Sequence, residues 1–409
     1  MNPSEMHLSA RPWLERARHM SLVGFALFAP FSIVLLQAAQ MAGNAVGLAS
    51  LRLDPKKKRL RLRLPLIRPM AAFLVVSLIS TVFAEDWQTA LIGLRTAWLP
   101  MLFFLVCVNT LTQTKAQKTA RILIGAGAVA ASYGLLQTVL YGTSFRIQGT
   151  YGHYMTFAGV LLILALLTLG QVLLDRHNSR GTRLRMGLAL CLLSGAMLMT
   201  QTRSAWLGML AGITVLVLIW KKRYFLALPL LGLLVLLVSP EPIKQRALSF
   251  LDVQDVTLLE RVKMWKGGGR IFLDHPLTGA GIDNLAAIYP KYKDPEESRL
   301  RFTHLHNNFV QIAAERGAIG LLAWLWIWLA YFRAIAQRLR RTPKREGPER
   351  ALIIGSLAAV VGFLVAGVFE CNYRDSEVAS IIYFVMALPF CRHDSAASDS
   401  VNQPTPATP

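Results

Sequence analysis

Charge is scarce in this chain of 409 residues, and what there is leans one way. Only 16% of the residues are charged, where a soluble globular domain carries roughly a quarter. Acidic residues number 23 against 44 lysines and arginines. Cysteine is scarcer still. Cys107, Cys191, Cys371 and Cys391 form no CxxC or Cys/His spacing, which argues against a disulfide framework or a zinc site. No internal repeat of fixed period occurs, nor a duplicated half of the kind common in transporters. No convincing glycine-rich nucleotide loop is present. The N-terminus lacks a short apolar stretch followed by a small-residue cleavage site, so its first apolar segment is expected to stay as an anchor.

What fills the chain instead is apolar. Hydrophobic residues make up 54% of it, in runs of about 17–25 residues that can cross a hydrocarbon core as helices. Lipid offers no partner to free backbone groups, so such runs must be helical. The expected fold is all-α, a polytopic membrane bundle of about twelve spans. A net charge of +21 invites a nucleic-acid reading. The basic residues, however, collect in short segments between apolar runs, as the positive-inside rule describes for cytoplasmic loops. Topology accounts for them better, so the expected partner is membrane lipid and not nucleic acid.

Counting these segments sets the alternation. The stretch from about Met20 to Leu51 is expected to turn back near Pro30 to Leu36. Otherwise the most basic tract, Lys56 to Arg63, would lie outside. The spans then exit and return in order. Outer turns fall at EDWQ, SFRIQGTYGHY, TQTRS and CNYRDSE, and basic loops at Lys115 to Arg121, DRHNSRGTRLR, KKR and RAIAQRLRRTPKREGPER. The resulting layout puts nine helices in 1–238, a large periplasmic loop in 239–304 and three helices in 305–391. A Pro/Ser-rich tail, 392–409, is expected to be disordered in the cytoplasm. Both termini lie inside.

An arginine in a cytoplasmic loop needs no explanation, but one at an outer membrane edge does. Arg146, Arg203 and Arg261 stand there. Their planar forks suit phosphate oxygens, so together they can hold an anionic head group or a diphosphate. The competing reading is local: each snorkels, or pairs with a neighbour, as Arg261 can with Glu260. His304 and His306 sit where the long outer loop re-enters the membrane. Metal ligation usually needs a third ligand, and no nearby paired carboxylates complete a site, so no metal is expected. An imidazole can instead take a proton from an attacking hydroxyl, or simply anchor the helix end. Asn307 is placed to cap that helix. Gly317 and Gly320 bracket the point where a surface helix passes into the lipid-spanning run. HPLTGAGIDN reads as a Pro–Gly turn of structural character. Glu370, Tyr373, Arg374 and Asp375 can serve a site or be ordinary solvated charge.

Three segments resemble the O-antigen ligase and polymerase superfamily over roughly the central two-thirds of the chain. TRSAWLG is similar to an arginine segment at the start of a span. ERVKMWKGGGRIFLDHPLTGAG is similar to the long periplasmic loop. HNNFVQIAAERGAIG fits the most specific pattern: His, then Asn, Ser or Gln, a nine-residue spacer, Gly, two residues and Gly. The resemblance implies a metal-independent, GT-C-like membrane glycosyltransferase of the bacterial inner membrane with no cofactor. It would move a glycan from undecaprenyl diphosphate to lipid A–core oligosaccharide at the periplasmic face. His306 would then be the base, and Arg203 and Arg261 the diphosphate ligands. Arg146 matches more loosely. His304, Asn307, Gly317 and Gly320 would support the site. An O-antigen polymerase or a protein O-oligosaccharyltransferase would share bundle and donor. A lipid-linked oligosaccharide flippase is the reading from another class.

Overall fold

Long apolar runs close their backbone hydrogen bonds within themselves, and the chain is helical wherever such a run occurs. The computed structural model describes residues 12–53, 64–250, 252, 254–294 and 304–392, which contain no strand. The expected all-α class holds. The basic tract Lys56 to Arg63, the end of the long loop at 295–303 and the tail 393–409 lie outside the described residues.

The helices are α1 (Pro12–Phe28), α2 (Ile33–Leu53), α3 (Ile67–Val82), α4 (Trp87–Gly93) and α5 (Arg95–Thr110). They are followed by α6 (Gln113–Tyr141), α7 (Tyr154–Leu174), α8 (Arg180–Met199) and α9 (Arg203–Lys221). A 3-10 segment (Lys222–Ala227) leads into α10 (Leu228–Val238), then α11 (Glu241–Leu248), α12 (Val256–Asp274) and α13 (Leu285–Ile288). The chain closes with α14 (Asn308–Arg341), α15 (Pro348–Ala366) and α16 (Ser376–Ala387).

Seven helical segments among the described residues are long and apolar enough to cross a membrane, and three shorter apolar helices accompany them. The molecule is an integral membrane protein. One of the seven runs from Arg203 to Val238, yet it reverses within itself. Arg203 starts α9 and donates to Ser249 Oγ at 2.8 Å. Since α9 alone is about 28 Å long at its helical rise, residues 222–248 must bring the chain back. The turn between α1 and α2 falls inside the stretch where a hairpin was expected.

The loops sort onto two faces. On one face Thr150 Oγ1 donates to Pro30 O at 2.6 Å, Asp86 N to Asn284 Oδ1 at 3.0 Å and Arg374 Nε to Asp283 Oδ1 at 2.8 Å. On the opposite face Arg121 pairs with Asp175 at 3.1 Å, Trp220 Nε1 donates to Glu346 at 2.9 Å, and Arg392 N to Leu111 O at 3.1 Å. The loops expected outside thus share one face, and the described basic loops share the other.

Close helix approach holds the centre together. α15 packs against both α7 and α9. A Cβ on Gly170 would lie 2.6 Å from Gly355 Cα, so side chains are excluded at that crossing and backbones meet. At the periphery α10 buries no residue and exposes Leu230, Leu231, Leu233, Leu234 and Leu237, a surface suited to hydrocarbon rather than water. Above the bundle, α12 and α13 build a small core of their own from Met264, Ile271, Leu285, Ile288, Tyr289 and Leu305.

Candidate functional site

The end of the long loop is shaped by a break in α14. At Gly317 the backbone takes φ 66°, ψ −171°, a left-handed conformation open to glycine alone without strain. A Cβ there would also collide with the Leu277 carbonyl. Carbonyls freed by the break find new donors. Ala280 N donates to Ala314 O at 2.9 Å, Gly281 N to Glu315 O at 3.1 Å, and Ser80 Oγ to Glu315 O at 2.7 Å. The HPLTGAG turn therefore serves as the partner of the kink. Before it, residues 308–316 form a short helix capped by Asn307, whose side chain accepts from Phe309 N at 2.8 Å and Val310 N at 3.1 Å.

This local geometry sets His306 just ahead of the cap, with φ 48°. A β-carbon residue in that region is strained by about 1–3 kcal/mol and persists when its surroundings fix it. Here the loop after α15 fixes it. Asn308 N donates to Gly367 O at 2.7 Å, Asn308 Nδ2 to Asn372 Oδ1 at 2.6 Å, and Asn307 N to Cys371 Sγ at 3.3 Å. Clipped in this way, Glu370 meets His306 Nδ1 at 3.0 Å through Oε1 and Arg261 at 3.6 Å through Oε2. A carboxylate beside Nδ1 favours the tautomer with the proton there, leaving Nε2 as the basic nitrogen.

The three arginines singled out from the sequence come together. Arg146, Arg203, Arg261 and His306 line one cavity of about 240 Å³, joined by Arg246 from α11 and Tyr154 from the start of α7. Arg146 Nε donates to Thr200 O at 3.1 Å and Nη2 to Gln201 O at 3.1 Å, while its guanidinium lies 3.5 Å over the Tyr154 ring. Arg203 is more fully engaged. Its Nη1 and Nη2 donate to the two oxygens of Asp255 at 3.0 and 2.9 Å. Of its five N–H groups, Nε–H has no partner among the described residues. Arg261 pairs with Glu370 and not with Glu260, a long-range partnership in place of the adjacent one considered from sequence.

Electrostatics follow from this crowding. Burial, reinforced by Arg246 and Arg261, lowers Arg146 to about 10. Burial and then Arg203 depress Arg246, and burial depresses Arg261 against the pull of Glu370. Such a cluster gains from any anion that enters it. Burial opposes charge on Glu370 too, but the His306 hydrogen bond and the nearby cations outweigh it and hold the carboxyl at about 2. His304, whose ring centroid is 4.2 Å from that of His306, is lowered by burial to about 4 and stays neutral near pH 7. Burial raises Asp375 to about 7.

The donor atoms of His304, His306 and Glu370 lie within 4.8 Å of one another, so the trio can hold a metal ion. The sequence reading excluded a metal for want of a third ligand; the structure brings Glu370 to that position. Arg246, Asp255 and Tyr154 are site residues that the sequence did not single out, and Glu370, left open there between site and solvated charge, is placed in the site.

Two comparisons bear on this arrangement. The family model described as O-antigen ligase matches residues 188–325, a span containing Arg203, Arg261, His306, Gly317 and Gly320. An O-antigen ligase of Pseudomonas aeruginosa is 28% identical over 304 residues, covering 72% of this chain and 69% of the relative. Both bear out the resemblance carried by the sequence motifs.

Proposed function

We propose that this chain, similar to O-antigen ligases over residues 188–325, transfers a completed glycan from undecaprenyl diphosphate to lipid A–core oligosaccharide. In this reading it lies in the inner membrane with both termini and the basic face cytoplasmic, following the positive-inside rule. About twelve spans carry a periplasmic loop, 239–304, over a GT-C-like site. One observation supports the reading above others: an imidazole with its Nδ1 on a carboxylate opens into a cavity lined by four arginines.

The chemistry divides between the two groups. His306 Nε2 takes the proton of the acceptor hydroxyl as its oxygen forms a bond to the anomeric carbon. The bond from that carbon to the diphosphate oxygen breaks, and the electron pair leaves with the diphosphate. Arg146, Arg246 and Arg261 offset the charge gained, with Arg203 contributing its Nε–H; guanidinium groups thereby take the place a divalent ion holds elsewhere. Glu370 holds the imidazole orientation and stabilises the imidazolium that forms. The proton then passes to the departing diphosphate or to water.

Purified protein supplied with lipid-linked glycan and either lipid A–core or a second lipid-linked glycan tests the assignment. Transfer to lipid A–core is expected. Chain extension on the second lipid-linked glycan instead would identify a polymerase, and donor translocation without transfer would identify a flippase.

A further inference from the structure

Helix α2 is apolar along most of its length, yet it carries Gln37, Gln40 and Asn44 at a spacing that aligns them on one face. Polar groups at membrane depth are costly and commonly mark a binding path. Gln40 is 1% exposed and Asn44 3%. Gln40 Oε1 accepts from Ser380 Oγ at 3.0 Å, but its Nε2 has no partner among the described residues. A buried, unpaired amide N–H costs on the order of 1–3 kcal/mol, so that nitrogen calls for an acceptor.

Gln40 also borders a second cavity, of about 280 Å³, between the site-face ends of α2, α5 and α16, lined as well by Gln37, Arg95, Asp283, Arg374 and Glu377. Gln37 Nε2 donates to Ser376 Oγ at 3.2 Å, and Ser376 Oγ to Glu377 at 3.1 Å. Asp375 lines this cavity as well and accepts from Thr156 Oγ1 at 2.9 Å. Thr156 directly follows Tyr154 and Met155, which line the arginine cavity. The two cavities are therefore neighbours, with the Thr156–Asp375 pair between them.

Their charges differ. The arginine cavity has four guanidiniums against Glu260, with Asp255 on Arg203 and Glu370 on Arg261 behind them, and so keeps a net positive charge. The second sets Asp283, Asp375 and Glu377 against Arg95 and Arg374, close to balance. A diphosphate sorts to the first. The second offers amides, carboxylates and hydroxyls that both donate and accept, which suits a ligand covered in hydroxyl groups.

We infer that the cavity of Gln37, Gln40 and Glu377 binds the acceptor's saccharide end beside the arginine cavity. This rests on the glycosyl-transfer reading above. Hydroxyl oxygens of the sugar would accept from Gln37 and Arg95 over the buried Gln40, and the carboxylates would accept hydrogen bonds from its hydroxyls.

The test is equilibrium binding by the purified full-length chain in detergent, with delipidated core oligosaccharide and the undecaprenyl-diphosphate-linked glycan as separate probes, run beside a transfer assay. Gln40→Leu and Gln37→Ala should each weaken core-oligosaccharide binding about tenfold and leave donor binding unchanged. Gln37 is half-buried at the rim, so its truncation spares the fold should Gln40→Leu disturb it. Arg261→Ala should show the opposite split. Unchanged core-oligosaccharide binding in Gln37→Ala would overturn the inference, as would no binding by wild type. Weakened donor binding in its place would assign the cavity to the donor glycan, also against it. Selective binding as described without any transfer by wild type would count against the transferase reading alone.

Discussion

His306 Nδ1 lies 3.0 Å from Glu370 Oε1, and the residues that hold this pair come from opposite ends of the α14–α15 hairpin. The carboxylate does for the imidazole what an orienting acid does in other proton-transfer sites: it fixes the tautomer and offsets the charge of the protonated ring. Glu370→Gln keeps an acceptor for Nδ1–H but removes the charge. It is expected to lower kcat by about 10²-fold or more with little change in either KM. Wild-type kcat in a folded Glu370→Gln protein would reduce the pair to a structural clip.

Arg203→Lys keeps the charge and loses the two-pronged contact with Asp255 and the reach to Ser249. Lysine is a point charge and does not replace a bidentate fork. Transfer should fall, chiefly through a higher KM for the lipid-linked donor. Kinetics indistinguishable from wild type would make Arg203 an anchor only.

Acid should loosen the loop before it loosens the bundle. Glu370 and Asp255 are both held at about 2, below the ordinary range of about 4. For Asp255 the hydrogen bond from Arg203 dominates. A depressed carboxyl contributes stability above its unfolded pKa, and the contribution is lost as pH falls through the folded one. The window is therefore from about 4 down to about 2. Thermal melts of the purified protein should show Tm dropping below about pH 4, with a shallower drop in Asp255→Asn. An equally steep drop in that variant would contradict the assignment.

Gly317→Ala introduces a side chain at φ 66° against the Leu277 carbonyl. Strain of about 1–3 kcal/mol plus the collision should lower Tm and displace His306, with loss of transfer. Retention of wild-type Tm would show that α14 tolerates another path.

Much of this site was legible because it breaks a rule. Arg146, Arg203 and Arg261 are conspicuous as cations on the face that the charge count leaves poor in cations, and His306 as an imidazole at a membrane entry. Glu370 was not, since a carboxyl directly before CNYRDSE resembles any solvated acid until the fold turns it toward His306. Asp255 and Arg246 lie in a loop where charge is expected. The HPLTGAG turn announced itself as a turn, but its service to the Gly317 break depends on a tertiary contact that spacing does not encode. Gln37, Gln40 and Asn44 were visible in the sequence as an amide stripe; counting charges alone passes over neutral polar residues.

The trio of His304, His306 and Glu370 makes the metal question concrete. With arginines as the charge sink, transfer should persist unchanged in EDTA. Abolition by EDTA with recovery on adding a divalent ion would move the trio from proton transfer to metal binding.

The most direct test is glycan transfer in proteoliposomes by wild type and His306→Ala at matched protein level. The account predicts transfer of lipid-linked glycan to lipid A–core by wild type and a loss of about 10²–10⁴-fold in the variant, with donor binding retained in the arginine cavity. Equal transfer by both proteins would contradict it.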